Sequence, residues 1–197
     1  NRGAPAETVE LCRRVVGLFP DAAAAHFTLA EALLTAGQEE EALEAFRAAA
    51  RRAPENRRIA EKARQLEHEL ARRKLVQRAE RLLDRARNAA GARSETAYRE
   101  LGALMTKAVT THPESPTFHQ YLVLALRQQG KLDAAQRAAR RALERFPASY
   151  QLWLERGDTQ RALGRLEAAA ESYRNAADRA EQDPTPHSNL GAVLLKL

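Results

Sequence analysis

At 197 residues the chain can form one large domain or two small ones, and a hydrophobic content of 44% is enough for a core. Aromatic residues make up only 5%, Ala and Leu dominate the apolar set, and no alternating Val/Ile/Thr/Tyr run bounded by turns occurs. The expected fold class is therefore all-α. The single cysteine excludes an intramolecular disulfide framework and a cysteine-rich zinc site, and no apolar stretch is long enough to cross a bilayer.

The formal charge of +6 is local. Residues 56–88 hold eleven Lys/Arg against five Asp/Glu, an excess equal to that of the whole chain, so the remainder is balanced.

In chain order, Glu7–Leu18 reads as a helix with Cys12 on an inner stripe beside Val9, Val15 and Val16, as a packed thiol. Residues Ala23–Asn56 read as two helices around Gly37. Their marker residues are His26, Leu29, Ala30, Leu33, Ala42, Phe46, Ala49 and Pro54, and Glu39, Glu40 and Glu41 favour the N-terminus of the second helix. From Arg57 to Ala90 two helical stripes occur, Ile59–Ala63–Leu66–Leu70 and Val76–Ala79–Leu83–Ala86–Ala90. The six-residue step between them leaves two readings open: one long helix, or two helices jointed near Arg72–Lys74.

Gly91–Ser94 is a loop signal, with Ser94 as N-cap of a helix over Glu95–Thr110 that carries Tyr98, Leu101, Met105 and Ala108. A further pair of helices spans His119 to Pro147, broken at Gly130. The next pair is Gln151–Leu163 and Arg165–Ala180, broken at Gly164, the second helix running on to about Gln182 before Pro184. Pro186–Leu197 reads as a last helix.

The spacing is regular. Pro20 and Pro54 are 34 residues apart, as are Pro113 and Pro147, Gly130 and Gly164, and Gly157 and Gly191. A fixed period of this size means stacked units, each too small to bury its own core. Small residues recur where paired helices cross closely (Ala30, Gly157 and Gly191 on first helices; Ala42, Ala135 and Ala169 on second helices), and Phe46, Met105 and Tyr173 are larger plugs. Trp153 and Gly157, then Gly164, Ala169, Tyr173 and Ala176, resemble a tetratricopeptide repeat. So do His119, Leu122, Leu126, Gly130, Leu132, Ala135, Ala142 and Pro147 one period earlier. The resemblance covers about three-quarters of the chain. It departs from the family pattern at His26, His119 and His187, which replace a bulky aromatic, and at Arg156, which stands where Leu122 and Leu190 stand in neighbouring copies.

The resemblance implies a right-handed α-solenoid of antiparallel helix pairs. The expected blocks are residues 1–56, a basic helical segment 57–90, and residues 91–197. Each terminal helix lacks its pair, an arrangement that predicts a natural polypeptide continuing beyond both ends, with self-association through the unfinished ends as one consequence.

No catalytic, cofactor or metal constellation is found: there is no G-x-S-x-G, phosphate-cradling glycine loop, H-E-x-x-H or C-x-x-C. The family resemblance implies a non-enzymatic scaffold binding a peptide or partner helix in a concave groove lined by first helices. The inward positions are Phe27, Glu31 and Leu34 in one block; the other has Gln120, Leu124 and Arg127, then Leu154, Asp158 and Arg161, then Ser188. Arg127 and Arg161, one repeat apart, suit a carboxylate or acidic peptide. The Lys/Asn clamp of chaperone-tail binders is missing from these slots. A repeat arm of a larger enzyme, such as a glycosyltransferase, is the alternative reading. Nucleic-acid binding by the basic segment is disfavoured, because acids are interspersed and interleaved aromatics are missing. High Ala and Arg usage suggests a bacterial coding bias, and the compartment stays open.

Overall fold

The computed structural model describes residues 4–197, and among them every regular element is a helix. There are ten: α1 (Ala4–Leu18), α2 (Ala23–Thr35), α3 (Glu39–Arg52), α4 (Arg57–Arg87), α5 (Ala92–Thr111), α6 (Pro116–Gln128), α7 (Leu132–Arg145), α8 (Tyr150–Ala162), α9 (Leu166–Ala177) and α10 (Thr185–Leu194). The described residues up to Lys74 form one compact unit, and Leu75–Leu197 form a second. Of the two readings of the basic segment, the single helix is the one observed.

Two local devices build the pairs. Within a pair, the turn closes on glycine: Gly37, Gly130 and Gly164 have φ of 76°, 72° and 74°. That left-handed conformation is open to Gly at little cost. The residue after each glycine bonds back to the carbonyl five residues before itself (Gln38 to Leu33, Lys131 to Leu126, Arg165 to Gln160), satisfying carbonyls that the helix end leaves unpaired. Between pairs, proline takes the second place of a hydrogen-bonded four-residue turn. The N–H of Ala22, Asn56, Ser115 and Ser149 donates to the carbonyl of Phe19, Ala53, His112 and Phe146.

The proline carbonyl is then used as an anchor. His26 Nε2–H donates to Pro20 O at 2.8 Å, His119 Nε2–H to Pro113 O at 3.2 Å, and Trp153 Nε1–H to Pro147 O at 2.9 Å. The acceptor is always six residues before the ring. Arg52 and Arg179, each 32 residues after the proline, donate to Pro20 O and Pro147 O as well. This explains the histidines in the aromatic slot: the position needs a flat ring with an N–H at its tip. His187 has Glu181 instead of proline six residues before it, and it is exposed.

In the first unit, Val9, Ala30, Leu33, Ala42, Phe46 and Ala63 form the core, with Cys12 packed against it. In the second, Ala79, Leu83, Leu101, Met105, Phe118 and Ala125 form one cluster, and Ala169, Ala170, Tyr173 and Val193 another. Small residues set the approach of the helices. A Cβ built on Gly157 would lie 2.6 Å from the Tyr173 ring, and Ala42, Ala135 and Ala169 are completely buried.

Several expectations need correction. Ser94 is not an N-cap: α5 begins at Ala92 after Gly91 (φ 55°), and Ser94 Oγ donates to Ala86 O at the end of α4 (2.9 Å). Helix α9 stops at Ala177, not near Gln182, because Arg179 and Ala180 close shorter three-residue bonds onto Ala176 and Ala177. Gly191 has open space around its Cβ position, since α10 packs chiefly against α9. Val15 is 44% exposed: six residues after Val9, it points away from α2.

Candidate functional site

On α2 the inward positions run Phe27, Glu31 and Leu34, about one helical turn apart. Phe27 meets Phe46 of α3 edge-on, with centroids 5.5 Å apart at 68°. Lys62 of α4 pairs with Glu31 and holds its ammonium 5.1 Å from the Phe27 centroid and 5.8 Å from that of Phe46. Phe27 and Leu34 are half-buried and lie against the core of the first unit, so each retains apolar surface on this face.

In the second unit, side chains of α6, α8, α9 and α10 form a denser polar cluster centred on Asp158. Arg127 Nη2 lies 3.0 Å from Glu155 Oε2 and 3.3 Å from Asp158 Oδ2. Tyr173 OH donates to Asp158 Oδ1 at 2.7 Å, and Asn189 Nδ2 donates to the same oxygen at 3.4 Å. Arg161 Nη2 stands 3.7 Å from Asp158 Oδ1. Four helices are thus tied to one carboxylate. Below the cluster, Ser172 Oγ donates to Gln160 Oε1 at 2.6 Å, both side chains buried.

Burial sets the protonation of this cluster. Glu155 is buried, and desolvation pushes its carboxyl up to about 7 even though Arg127 opposes the shift. The Tyr173 hydroxyl is held well above the usual phenol range, first by burial and then by its bond to Asp158. Arg127 and Asp158 are 16% and 17% exposed, whereas Arg161 is 48% exposed.

The residues expected to line the face therefore differ in availability. Arg127 and Arg161 do meet around Asp158, but Arg127 is already engaged by two carboxylates of the chain. Arg161 presents the more open guanidinium. Gln120, Leu124 and Leu154 are half-buried, and Ser188 is exposed. Sequence reasoning missed Glu155, Lys62 and Asn189 as members of these clusters. No repeat signal marks Glu155, because the equivalent positions hold Tyr121 and Asn189.

Much of the basic charge of α4 is matched. Arg73 pairs with Glu39 and Glu69, Lys74 with Glu40, Arg72 with Glu69, and Arg85 with Glu100. Among the described residues no helix is long and apolar enough to cross a membrane.

Comparisons with known proteins agree with this architecture. Two tetratricopeptide repeat family profiles match residues 2–66 and 122–184. The chain belongs to the tetratricopeptide repeat family. Among solved structures, a thermophilic TPR protein of Thermus thermophilus superposes with a TM-score of 0.54 at 20% identity, over 98% of this chain and 92% of that one. The TPR domain of P58(IPK) superposes with a TM-score of 0.57 at 16% identity, over 98% of this chain and 51% of that one, so the chain spans about half of that domain's length. At these identities the likeness is one of fold, an α-solenoid of helix pairs. No curated protein matches the chain. Members of the family generally serve as protein-interaction scaffolds.

Proposed function

We propose that the chain is a non-enzymatic scaffold that docks a peptide or a partner helix on the face presented by the first helices of its pairs. Each of the two units supplies such a face of its own: α2 in the first, and α6, α8 and α10 in the second. The observation that carries this reading is the half-covered state of the inward apolar positions. Phe27, Leu34, Leu124 and Leu154 touch the cores yet stay partly open, while other positions on the same helices, such as Ala30, Val123 and Leu152, are completely covered. Partly open apolar side chains beside an amide (Gln120), a hydroxyl (Ser188) and an open guanidinium (Arg161) suit an extended or helical segment carrying apolar and acidic side chains. Arg161 is the group best placed to meet a ligand carboxylate, with Arg127 and Asp158 holding its surroundings.

The test uses a displayed peptide library panned against the whole chain, with the selected peptide measured by calorimetry. Gln120→Arg with Ser188→Arg should block the bound peptide, and Arg161→Glu should weaken peptides that carry acidic residues. Circular dichroism confirms that each variant keeps its helices. A selected peptide whose affinity is unmoved by all three changes binds elsewhere, and the reading then fails.

A further inference from the structure

Away from the inward positions, the groove between α7, α8 and the start of α9 has a chemistry of its own. A cleft of about 190 Å³ is lined by Asp133, Gln136, Arg137, Arg140, Arg156 and Arg165. Four guanidinium groups thus face one carboxylate. Among the described residues none of the four makes an ion pair, unlike Arg85, Arg127 and Arg161 of the same unit.

Two of the four are held by uncharged partners. The Arg156 guanidinium carbon lies 5.2 Å from the centroid of Trp153, whose ring is itself anchored to Pro147 O. Arg165 Nη1 donates to Gln136 Oε1 at 3.0 Å. A π-face and an amide oxygen orient a guanidinium without cancelling its charge, so part of the ordering that binding requires is already in place.

The repeat register shows that the scaffold does not require arginine at two of these positions, those of Arg156 and Arg137. The position of Arg156 is Leu122 one period earlier and Leu190 one period later, and that of Arg137 is Ala103 and Glu171. One period on, the positions of Asp133 and Arg137 hold Glu167 and Glu171. A leucine slot turned into arginine beside three other arginines brings like charges together in this cleft.

We propose that this cleft binds a phosphoryl group carried as a phosphate monoester. Such a group brings about −1.5 to −2 charges and three strong acceptor oxygens to one point. A single carboxylate brings one charge, too little for a lining with three more positive than negative groups. Guanidinium forks match phosphate oxygens in bidentate geometry. The volume is below the roughly 300 Å³ at which pockets begin to enclose drug-sized ligands, so the cleft admits the headgroup and leaves the carrier outside. This site shares no residue with the inward face and does not rest on the reading proposed for it.

The experiment titrates the whole chain at low salt with phenyl phosphate, a phosphoserine peptide, its unphosphorylated form and benzoate. Calorimetry is the main readout. Fluorescence of Trp153, the only tryptophan of the chain, is the second. Both phosphorylated probes should bind, while benzoate and the unphosphorylated peptide should not. Arg156→Leu, which restores the residue of the neighbouring copies, should bind about tenfold more weakly, the loss of one charge-assisted contact. Arg140→Gln, on an exposed position, should weaken binding in the same direction and covers the case of a misfolded Arg156 variant. Tighter binding of the phosphopeptide than of phenyl phosphate assigns a protein-borne group; equal binding assigns a small phosphate ester. The proposal is overturned by silence from both phosphorylated probes, by equal binding of benzoate, by unchanged affinity in folded variants, or by capture of a short RNA where the monoesters fail.

Discussion

Tyr173 shows how one residue carries several constraints. Its ring fills the space that the missing side chain of Gly157 leaves, and its hydroxyl holds Asp158. Replacing Gly157 by Ala adds a Cβ 2.6 Å from two ring carbons of a fully buried side chain. Helix propensity favours Ala by about 1 kcal/mol, but overpacking costs about 1–3 kcal/mol, so we expect net destabilisation in chemical denaturation. Glu155 sets a pH dependence. Its carboxyl sits at about 7 in the folded chain, so between the ordinary carboxylate range and 7 the folded state holds a proton that the unfolded state has released. The contribution is present at low pH and is lost as pH rises through 7. The stability of Glu155→Gln relative to the parent should therefore improve from pH 4.5 to pH 7. Parallel stability curves over that range would contradict the assignment. Gly157 was legible in sequence because it recurs at the repeat spacing. Glu155 was not, since its partners Arg127 and Asp158 come together only through packing.

The elements follow from their connectors. Proline in the inter-pair turn, a ring N–H six residues on and an arginine 32 residues on together lock a second helix to the next pair. Trp153→Phe keeps the ring but deletes the donor to Pro147 O. It should cost about 0.5–1.5 kcal/mol, read as a lower denaturation midpoint. The prolines and glycines were visible as a rhythm, yet the hydrogen bonds they serve were not, because the acceptor is a backbone carbonyl that no residue type announces. For the same reason Ser94 looked like a cap. Serine is a common N-cap, but the chain after Gly91 enters the helix two residues before Ser94, which turns its hydroxyl back onto Ala86. Helix α4 remained ambiguous because a six-residue step between apolar stripes fits either a joint or one helix that changes its packing face. The second occurs: Ala63 and Leu66 pack in the first unit, and Ala79 and Leu83 in the second.

At the scale of the molecule, net charge alone is a poor guide to partners. The excess of +6 lies on α4, but acids from α2, α3 and α5 meet it: Glu31 takes Lys62, Glu39 takes Arg73, Glu40 takes Lys74, and Glu100 takes Arg85. Paired bases release fewer counterions on meeting phosphates, so we expect no stable complex with a generic DNA duplex at physiological salt in a mobility-shift assay. By itself the sequence determined the all-helical class, the repeat length and the family, because helix periodicity, turn residues and small crossing residues are short-range signals repeated at one spacing. Only the tertiary structure decided which charges neutralise one another, that Asp158 joins four helices, and that four arginines converge on one cleft with a single carboxylate among them. Those outcomes depend on side chains some 30 residues apart in sequence, and their meeting is set by how stacked pairs align rather than by any local pattern.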